Sequence, residues 1–406
     1  MRNAADVLIL GGGLVGSTLA TALHGAGLTA IVVDPADPAV TLAAGFDGRA
    51  SAVASASHRM LDAIGVGAQL AGRGCAIRQI RVSDGLAPGK LDFTPAPDDD
   101  ALGTMYENRL LRTVLHDAVD RASGVDLRMK THALRVERDL DGVRAELSDG
   151  TTVTADLLVA AEGRRSPTRE AAGIAVATWK YDHTAIIGAF HHERSHEDIA
   201  YEIFYPSGPF ALLPLPDDDI GHRCAIVWTV DAKHGAAMMK LGDRAFLAEA
   251  EARMGGFLGP LSAPSPRASY PLGFHHAARL VDTRLALVGD AGHGIHPIAG
   301  QGLNLGFRDV ATLVEVLVEG RRLGLEAGDA QLLARYERWR SLDTFMVAAA
   351  TDTLTRLFGV PGRAASAVRR FGISAVDRLP PLKERFMAEA RGESGALPKL
   401  LMGLSV

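Results

Sequence analysis

The chain has 406 residues, of which 47% are hydrophobic and 22% charged, and a formal net charge of −5. That composition suits an ordinary globular protein with a large core, built as two or three domains or as one domain with an inserted lobe. It gives no electrostatic case for nucleic-acid binding. The two cysteines, Cys75 and Cys224, lack the spacing of a metal knuckle or a redox pair, so both are expected as buried, reduced thiols of a cytoplasmic protein.

The first apolar run begins almost at the N-terminus, with no cleavage signature after it, so no signal peptide is expected. Val7 to Val33 is long enough to cross a bilayer, but six glycines and His24 break it up. It divides instead into a buried strand (Val7–Leu10), a glycine turn, a helix from Leu14 to Gly25 and a second buried strand (Ala30–Val33) ending at Asp34. A helix is predicted from about Ser51 to Ile64, strands and turns over 74 to 98, and an amphipathic helix from Asn108 to Ala122. Alternation predicts strands at Ala133–Glu137 and Val143–Leu147, with Ser148-Asp149-Gly150 turning back into Thr152–Thr154. Leu157–Ala160 is a further buried strand. From His183 to Phe274 alternating segments point to an antiparallel sheet, interrupted by a helix near Asp243–Met254. Leu285–Val288 returns to a buried strand, and helices fill most of the remainder.

Two glycine turns carry the chemistry. Gly11-x-Gly13-x-x-Gly16 joins strand to helix. The first glycine makes the turn, the second admits a pyrophosphate and the third lets the helix pack on the strand, while the helix N-terminus supplies free N–H groups. Asp34, eighteen positions after Gly16, closes the next strand where ribose hydroxyls would lie. Leu287-Val288-Gly289-Asp290-Ala291 is a second strand ending in a turn, followed by Pro297 to Gly306 and a helix reaching about Val318. Asp290 could accept bonds from ribityl hydroxyls. Amides of Gly302, Leu303 and Asn304 at the helix start would stabilise charge on a reduced flavin ring. His293 and His296 have no third ligand nearby, so no metal site is expected. His191-His192 and His275-His276 read as solvated or capping residues, and Ser166 does not sit in a hydrolase elbow.

The run from Gly289-Asp290 through Gly300-Gln301-Gly302-Leu303-Asn304 to Arg308-Asp309 resembles the single-component FAD-dependent aromatic monooxygenases, and within them the ubiquinone-biosynthesis (2-polyprenylphenol) hydroxylases. The likeness covers essentially the whole chain. It implies an α/β fold: a discontinuous Rossmann-like FAD-binding domain (1–72, 100–180, 278–330), an inserted antiparallel β-sheet substrate domain (73–99, 181–277) and a C-terminal helical region (331–406). It implies FAD as cofactor, with Arg49, Asn108, Arg109, Glu162 and Gly163 added to the glycines and aspartates as its contacts. Glu162 replaces the family's usual aspartate. Pro297, Gly300 and Gln301 would lie beside the flavin ring. NAD(P)H is the expected co-substrate, although no second dinucleotide fingerprint is visible.

The implied reaction is hydroxylation of a prenylated phenol by dioxygen, through a hydroperoxide at flavin C4a. A hydroxylase of a soluble aromatic and a non-catalytic flavin-binding scaffold are the alternatives. Tyr201, Tyr205 and His222 are placed in the substrate lobe by position alone, and no general base stands out. The tail from Asp352 to Lys399 mixes apolar and basic residues. It is a candidate for contact with a membrane surface or a biosynthetic complex, at the inner face of the membrane of an otherwise cytoplasmic protein.

Overall fold

The computed structural model describes residues 2–86, 89–294, 301–341 and 379–406. From the N-terminus, β1 (Ala4–Leu10), α1 (Leu14–Gly25) and β2 (Ala30–Asp34) form the β-α-β unit that the apolar runs predict. A single turn, α2 (Pro38–Thr41), precedes β3 (Ala50–Ala54), α3 (Ser55–Ala63) and α4 (Gly67–Leu70). Next come β4 (Cys75–Ile77), β5 (Gln79–Asp84), β6 (Lys90–Phe93), β7 (Gly103–Glu107) and α5 (Asn108–Arg121). β8 (Val125–Met129), β9 (Ala133–Arg138), β10 (Val143–Leu147), β11 (Thr152–Ala160) and α6 (Pro167–Ala171) follow.

The middle of the chain supplies β12 (Val176–His192), β13 (Ile199–Tyr205), β14 (Gly208–Leu215) and β15 (His222–Asp231). After them come α7 (Ala232–Met239), α8 (Asp243–Met254), β16 (Leu261–Ser262) and β17 (Ala268–Ala277). The last part holds β18 (Val281–Asp282), β19 (Leu285–Leu287), β20 (His293–Gly294), α9 (Gln301–Arg322), a helical segment at 330–341 and α10 (Pro380–Ala390).

Strands whose residues are apolar without alternation are covered on both faces. Accordingly β19, β11, β1, β2 and β8 lie side by side, all parallel, with Ile9 paired to both Val159 and Val32. β10 and β9 extend from β11 as antiparallel strands, and β18 closes the other edge. α1, α5 and α9 cover one face of this sheet around a single core that includes Leu19, Leu23, Leu111, Phe307 and Val314. A second sheet runs β20-β17-β12-β15-β14-β13-β5-β6, antiparallel except where β5 joins β13, and is backed by α8. Strands from 79–93 therefore share a sheet with strands from 176–277. A small sheet, β3-β7-β4, stands between the two.

The structure corrects the reading of Ser51 to Ile64 as one helix. Alanine and serine leave local propensity nearly silent, and pairing decides: Ala52 lies opposite Met105 of β7, and the helix begins only at Ser55. Thr152–Thr154 and Leu157–Ala160 are one continuous strand. The short helix α7 carries no strong periodic signal and forms where Gly235 packs against Thr184. Both cysteines are free and buried.

Gly16 sets how closely α1 approaches β1, because a Cβ there would stand 1.8 Å from the Gly11 carbonyl oxygen. Gly16→Ala is expected to destabilise the fold by about 1–3 kcal/mol. Gly25→Ala, on the open last turn of the same helix, should be neutral or stabilising by about 0.5–1 kcal/mol. Urea denaturation of the two variants checks the contrast.

Candidate functional site

Parallel strands that begin on one side of a sheet end together on the other. β1, β11 and β19 are neighbours, so the turns that follow them, Gly11–Gly16, Glu162–Gly163 and Gly289–Asp290, meet along one edge. Open sheets of this kind bind ligands at that edge. Gly11 takes φ +105°, and a Cβ on it would meet the Ala161 carbonyl oxygen at 2.4 Å, so the first two turns touch through backbone. α1 starts at Gly13 with no side-chain cap and no acid in its first turn. Among the described residues, no heavy atom beyond its own chain neighbours and helix lies within 4 Å of where a Gly13 Cβ would stand. Free N–H groups, the positive end of the helix and open approach make an anion cradle. Asp34 holds this turn: its carboxylate accepts from the Gly12 N–H at 2.6 Å and the Ala36 N–H at 2.7 Å. Each oxygen keeps a further lone pair for a ribose hydroxyl.

The third turn hangs on a buried carboxylate. Asp309, on α9, is fully buried and accepts from the Gly289 N–H and from His293 Nε2–H, each at 2.7 Å, through one oxygen. Its other oxygen accepts from Arg340 Nε at 2.7 Å, and Arg340 is itself fully buried. Burial alone would raise the Asp309 pKa. The fields and hydrogen bonds of His293 and Arg340 outweigh it and hold the carboxyl below its usual range. Above this network Asp290 is exposed, and its backbone carbonyl accepts from His275 Nε2–H at 2.8 Å. His275 is thus neither solvated nor a cap, as the sequence suggested. It is buried, desolvation lowers its pKa, and its Nδ1 has no hydrogen-bond partner among the described residues.

At the start of α9, no described residue outside its own chain neighbours and helix stands within 4 Å of where a Gly302 Cβ would lie, and Leu303 packs on the core. The Asn304 side chain is spent on β3, accepting from the Ala54 N–H at 2.9 Å and donating to the Ala52 carbonyl at 3.0 Å. Gln301 is the first residue of the helix. Pro297, Gly300 and His296 lie outside the described residues, as does the tail from Asp352 to Arg378.

Glu162 turns its carboxylate into its own loop, accepting from Ser166 Oγ at 2.6 Å and the Thr168 N–H at 3.2 Å. Ser166 in turn caps α6 through the Arg169 N–H. Buried Arg169 donates to the carbonyls of Ala291 and Arg164, at 2.9 and 3.0 Å. The mid-chain Gly-x-x-Ser-x-x-Arg segment therefore laces the second turn to the third, and Gly163, at φ +78° with nothing near its absent Cβ, is the open element of that loop.

Arg49 is exposed, with its guanidinium 5.9 Å from the Tyr270 ring centre. Its carbonyl accepts from the Asn108 N–H, Asn108 Oδ1 accepts from Ser51 Oγ, and Arg109 Nε donates to the Ala43 carbonyl. Tyr201 and Tyr205 pack on the sheet face that carries α8 and point away from the nucleotide turns, while His222 bonds Asp217 at the surface. Among the described residues Cys75, His196 and Asp198 bring ligand atoms within 4.8 Å of one another, with the Cys75 thiol already donating to Asp198 at 3.3 Å.

Sequence reasoning named Asp309 and His293 only as parts of a motif and missed Arg340 and the bond of His275. These partners lie 15 to 31 positions apart, beyond any local pattern.

Residues 4–349 match the model of a family described as FAD binding domain. The chain belongs to that family. It is 48% identical to ubiquinone hydroxylase UbiL of Rhodospirillum rubrum, over 98% of this chain and 93% of that protein. It is 31% identical to the 3-demethoxyubiquinol 3-hydroxylase of Escherichia coli, over 96% and 99%. Among solved structures, p-nitrophenol 4-monooxygenase PnpA of Pseudomonas putida superposes with a TM-score of 0.79, at 19% identity and over 97% and 99% of the two chains, a likeness of fold alone. The uncapped α1 N-terminus, the open approach at Gly13 and the open Gly302 fit an FAD laid along this edge.

Asp309→Ala leaves Arg340 buried without its carboxylate, and the expected cost is about 3–5 kcal/mol in urea denaturation. Because the folded-state pKa is lowered, the carboxylate's contribution is present above the unfolded value near 4 and is lost as pH falls through the folded value. The variant's deficit should shrink correspondingly in acid.

Proposed function

We propose that this chain is an FAD-dependent monooxygenase that hydroxylates the aromatic ring of a polyprenylphenol intermediate in ubiquinone biosynthesis. The observation that carries the reading is the convergence of three glycine turns at one sheet edge, in a chain 48% identical to a ubiquinone hydroxylase. Gly11, Gly13, Gly16 and Asp34 would hold the ADP half of FAD, with Arg49, Asn108, Arg109 and the Glu162–Gly163 loop around its pyrophosphate and ribose. Gly289 and Asp290 would hold the ribityl chain, and the amides of Gly302 to Asn304 the ring. FAD supplies the oxygen-transfer chemistry when bound, and the protein positions it, stabilises charge at the helix start and excludes water.

NAD(P)H is the reductant this reading expects, taken up transiently for want of a second dinucleotide fold. The substrate unit would comprise 73–99 and 181–277, held by a nucleotide unit of 1–72, 100–180 and 278–330 and a helical region of 331–406. Among the described residues no helix is long and apolar enough to cross a membrane. A prenylated substrate would be met at the membrane surface, and exposed Leu379 and Phe386 with Lys383 and Arg385 around α10 support contact there.

The test is to delete the gene in its native host and identify accumulating quinone intermediates by mass spectrometry. A prenylphenol lacking one hydroxyl should accumulate and disappear on complementation. Complementation with Asp290→Ala should restore about 1% of quinone or less. Unchanged quinone content in the deletion would refute the proposal.

A further inference from the structure

Between the small sheet and the large one lies an apolar layer rich in small side chains. Ala50 and Ala52 of β3 and Met105 of β7 face Ala189, Ala200 and Ala225 of β12, β13 and β15. The layer reaches the flavin turn directly, because Asn304 at the start of α9 grips the backbone of Ala52 and Ala54. This is the face of the large sheet turned towards the small sheet.

One carboxylic acid stands on that face. β13 alternates: Tyr201, Ile203 and Tyr205 pack towards α8, so Ala200, Glu202 and Phe204 point the other way. Glu202 lies opposite Ala211 of β14 and Val82 of β5, and beyond Val82 comes Leu91 of β6, so its lateral neighbours are all apolar. It has no hydrogen bond or ion pair among the described residues and is half-buried. Surrounding protein pushes its carboxyl up to about 7, with desolvation the one cause. Other charged or titratable groups turned to this layer are Asp84 on β5, the Cys75 thiol on β4, whose burial raises it to about 12, and the Arg223–Glu107 pair at the far end of β15, 3.1 Å apart. An acid set among apolar neighbours is costly to keep, and such groups concentrate where chemistry needs them.

We propose that Glu202 is the catalytic base of the hydroxylation, taking the proton of the substrate's phenol hydroxyl. The O–H bond breaks, a carboxyl O–H forms, and the electron pair stays on the phenol oxygen. The ring becomes a phenolate, richer in electrons at the carbon that receives the oxygen atom. One atom of dioxygen enters the ring and the other leaves as water, with reduced nicotinamide dinucleotide as the electron source. On rearomatisation Glu202 returns its proton to the phenol oxygen, and the ring proton, together with the hydride and one proton from solvent, completes the new hydroxyl and the water. A base near neutrality suits this work, since it is ionised at working pH and still basic enough to receive the proton.

The inference rests on the proposed hydroxylase function, so the experiment has two arms. In the first, flavin-loaded enzyme is given NADH, dioxygen and 2-farnesylphenol, and product is measured against pH. Wild-type turnover should rise with pH through about 7. Glu202→Gln should lose that limb and about 100-fold or more in product, while flavin reduction stays within about twofold and oxygen emerges as peroxide. Glu202→Asp should recover part of the activity. A Glu202→Gln enzyme that keeps both product and pH limb overturns the proposal.

In the second arm, urea midpoints are compared without substrate. A folded-state pKa raised above the unfolded value near 4 costs stability as pH rises between the two, and glutamine escapes that cost. Glu202→Gln should therefore be the more stable protein at about pH 8 and equal to wild type at about pH 4. Equal midpoints at both would show a solvated side chain and also overturn the proposal. Absence of any product from the wild type would count against the hydroxylase reading, leaving the second arm to decide where Glu202 sits.

Discussion

Everything at the nucleotide edge depends on one buried carboxylate. Asp309 sits where water cannot solvate it, and only the guanidinium of Arg340, the imidazole of His293 and the Gly289 amide make its charge tolerable. Such a network does little for net stability compared with an apolar replacement, but losing one partner is severe. What it provides is position. Asp309 is on α9 and its three partners lie in the 330–341 segment, β20 and the Gly289 turn, so the turn cannot shift unless these elements move together. Arg169 adds a second tether by seizing the carbonyl of Ala291, and His275 a third at Asp290. A turn held from three directions presents its exposed aspartate in one orientation.

The two large sheets are joined by similar cross-bracing. The Asn304 side chain fastens α9 to β3, which puts the small sheet against the start of that helix. The C-terminal segment completes the frame. Arg391 accepts from the Ala56 N–H through its carbonyl, Lys399 donates its N–H to Glu315 at 2.7 Å, and Leu400 and Leu401 are buried beside α3 and α9. Met387 of α10 reaches the apolar layer between the sheets. The tail thus packs on both the nucleotide side and this layer, and a change at α10 should be felt in both.

The parallel sheet was legible because its strands, buried on both faces, read as unbroken apolar runs, and the glycine turns because glycine is the one residue that tolerates the contacts found at Gly11 and Gly16. What escaped was whatever depends on partners distant in sequence. β3 is alanine and serine, and nothing local distinguishes it from the helix that follows until β7 pairs with it. The roles of Asn304 and His275 differ from expectation for the same reason: hydrogen bonds go to whichever backbone the fold brings near. Tyr201 and Tyr205 drew notice as polar aromatics in the substrate lobe, whereas the strand's two-residue alternation turns them away and turns the unnoticed Glu202 inward.

Two glutamates show how environment, not residue type, assigns a role. Glu162 lies beside one of the converging turns, and one of its carboxylate oxygens accepts from both Ser166 and Thr168, so it shapes its own loop. Glu202 is chemically identical, lies among alanine, valine and leucine, and finds nothing to bond. It is driven towards its neutral form until a partner arrives. An acid without a partner among the described residues, on the sheet face that carries Ala189, Ala200 and Ala225, is the position from which a proton acceptor could act.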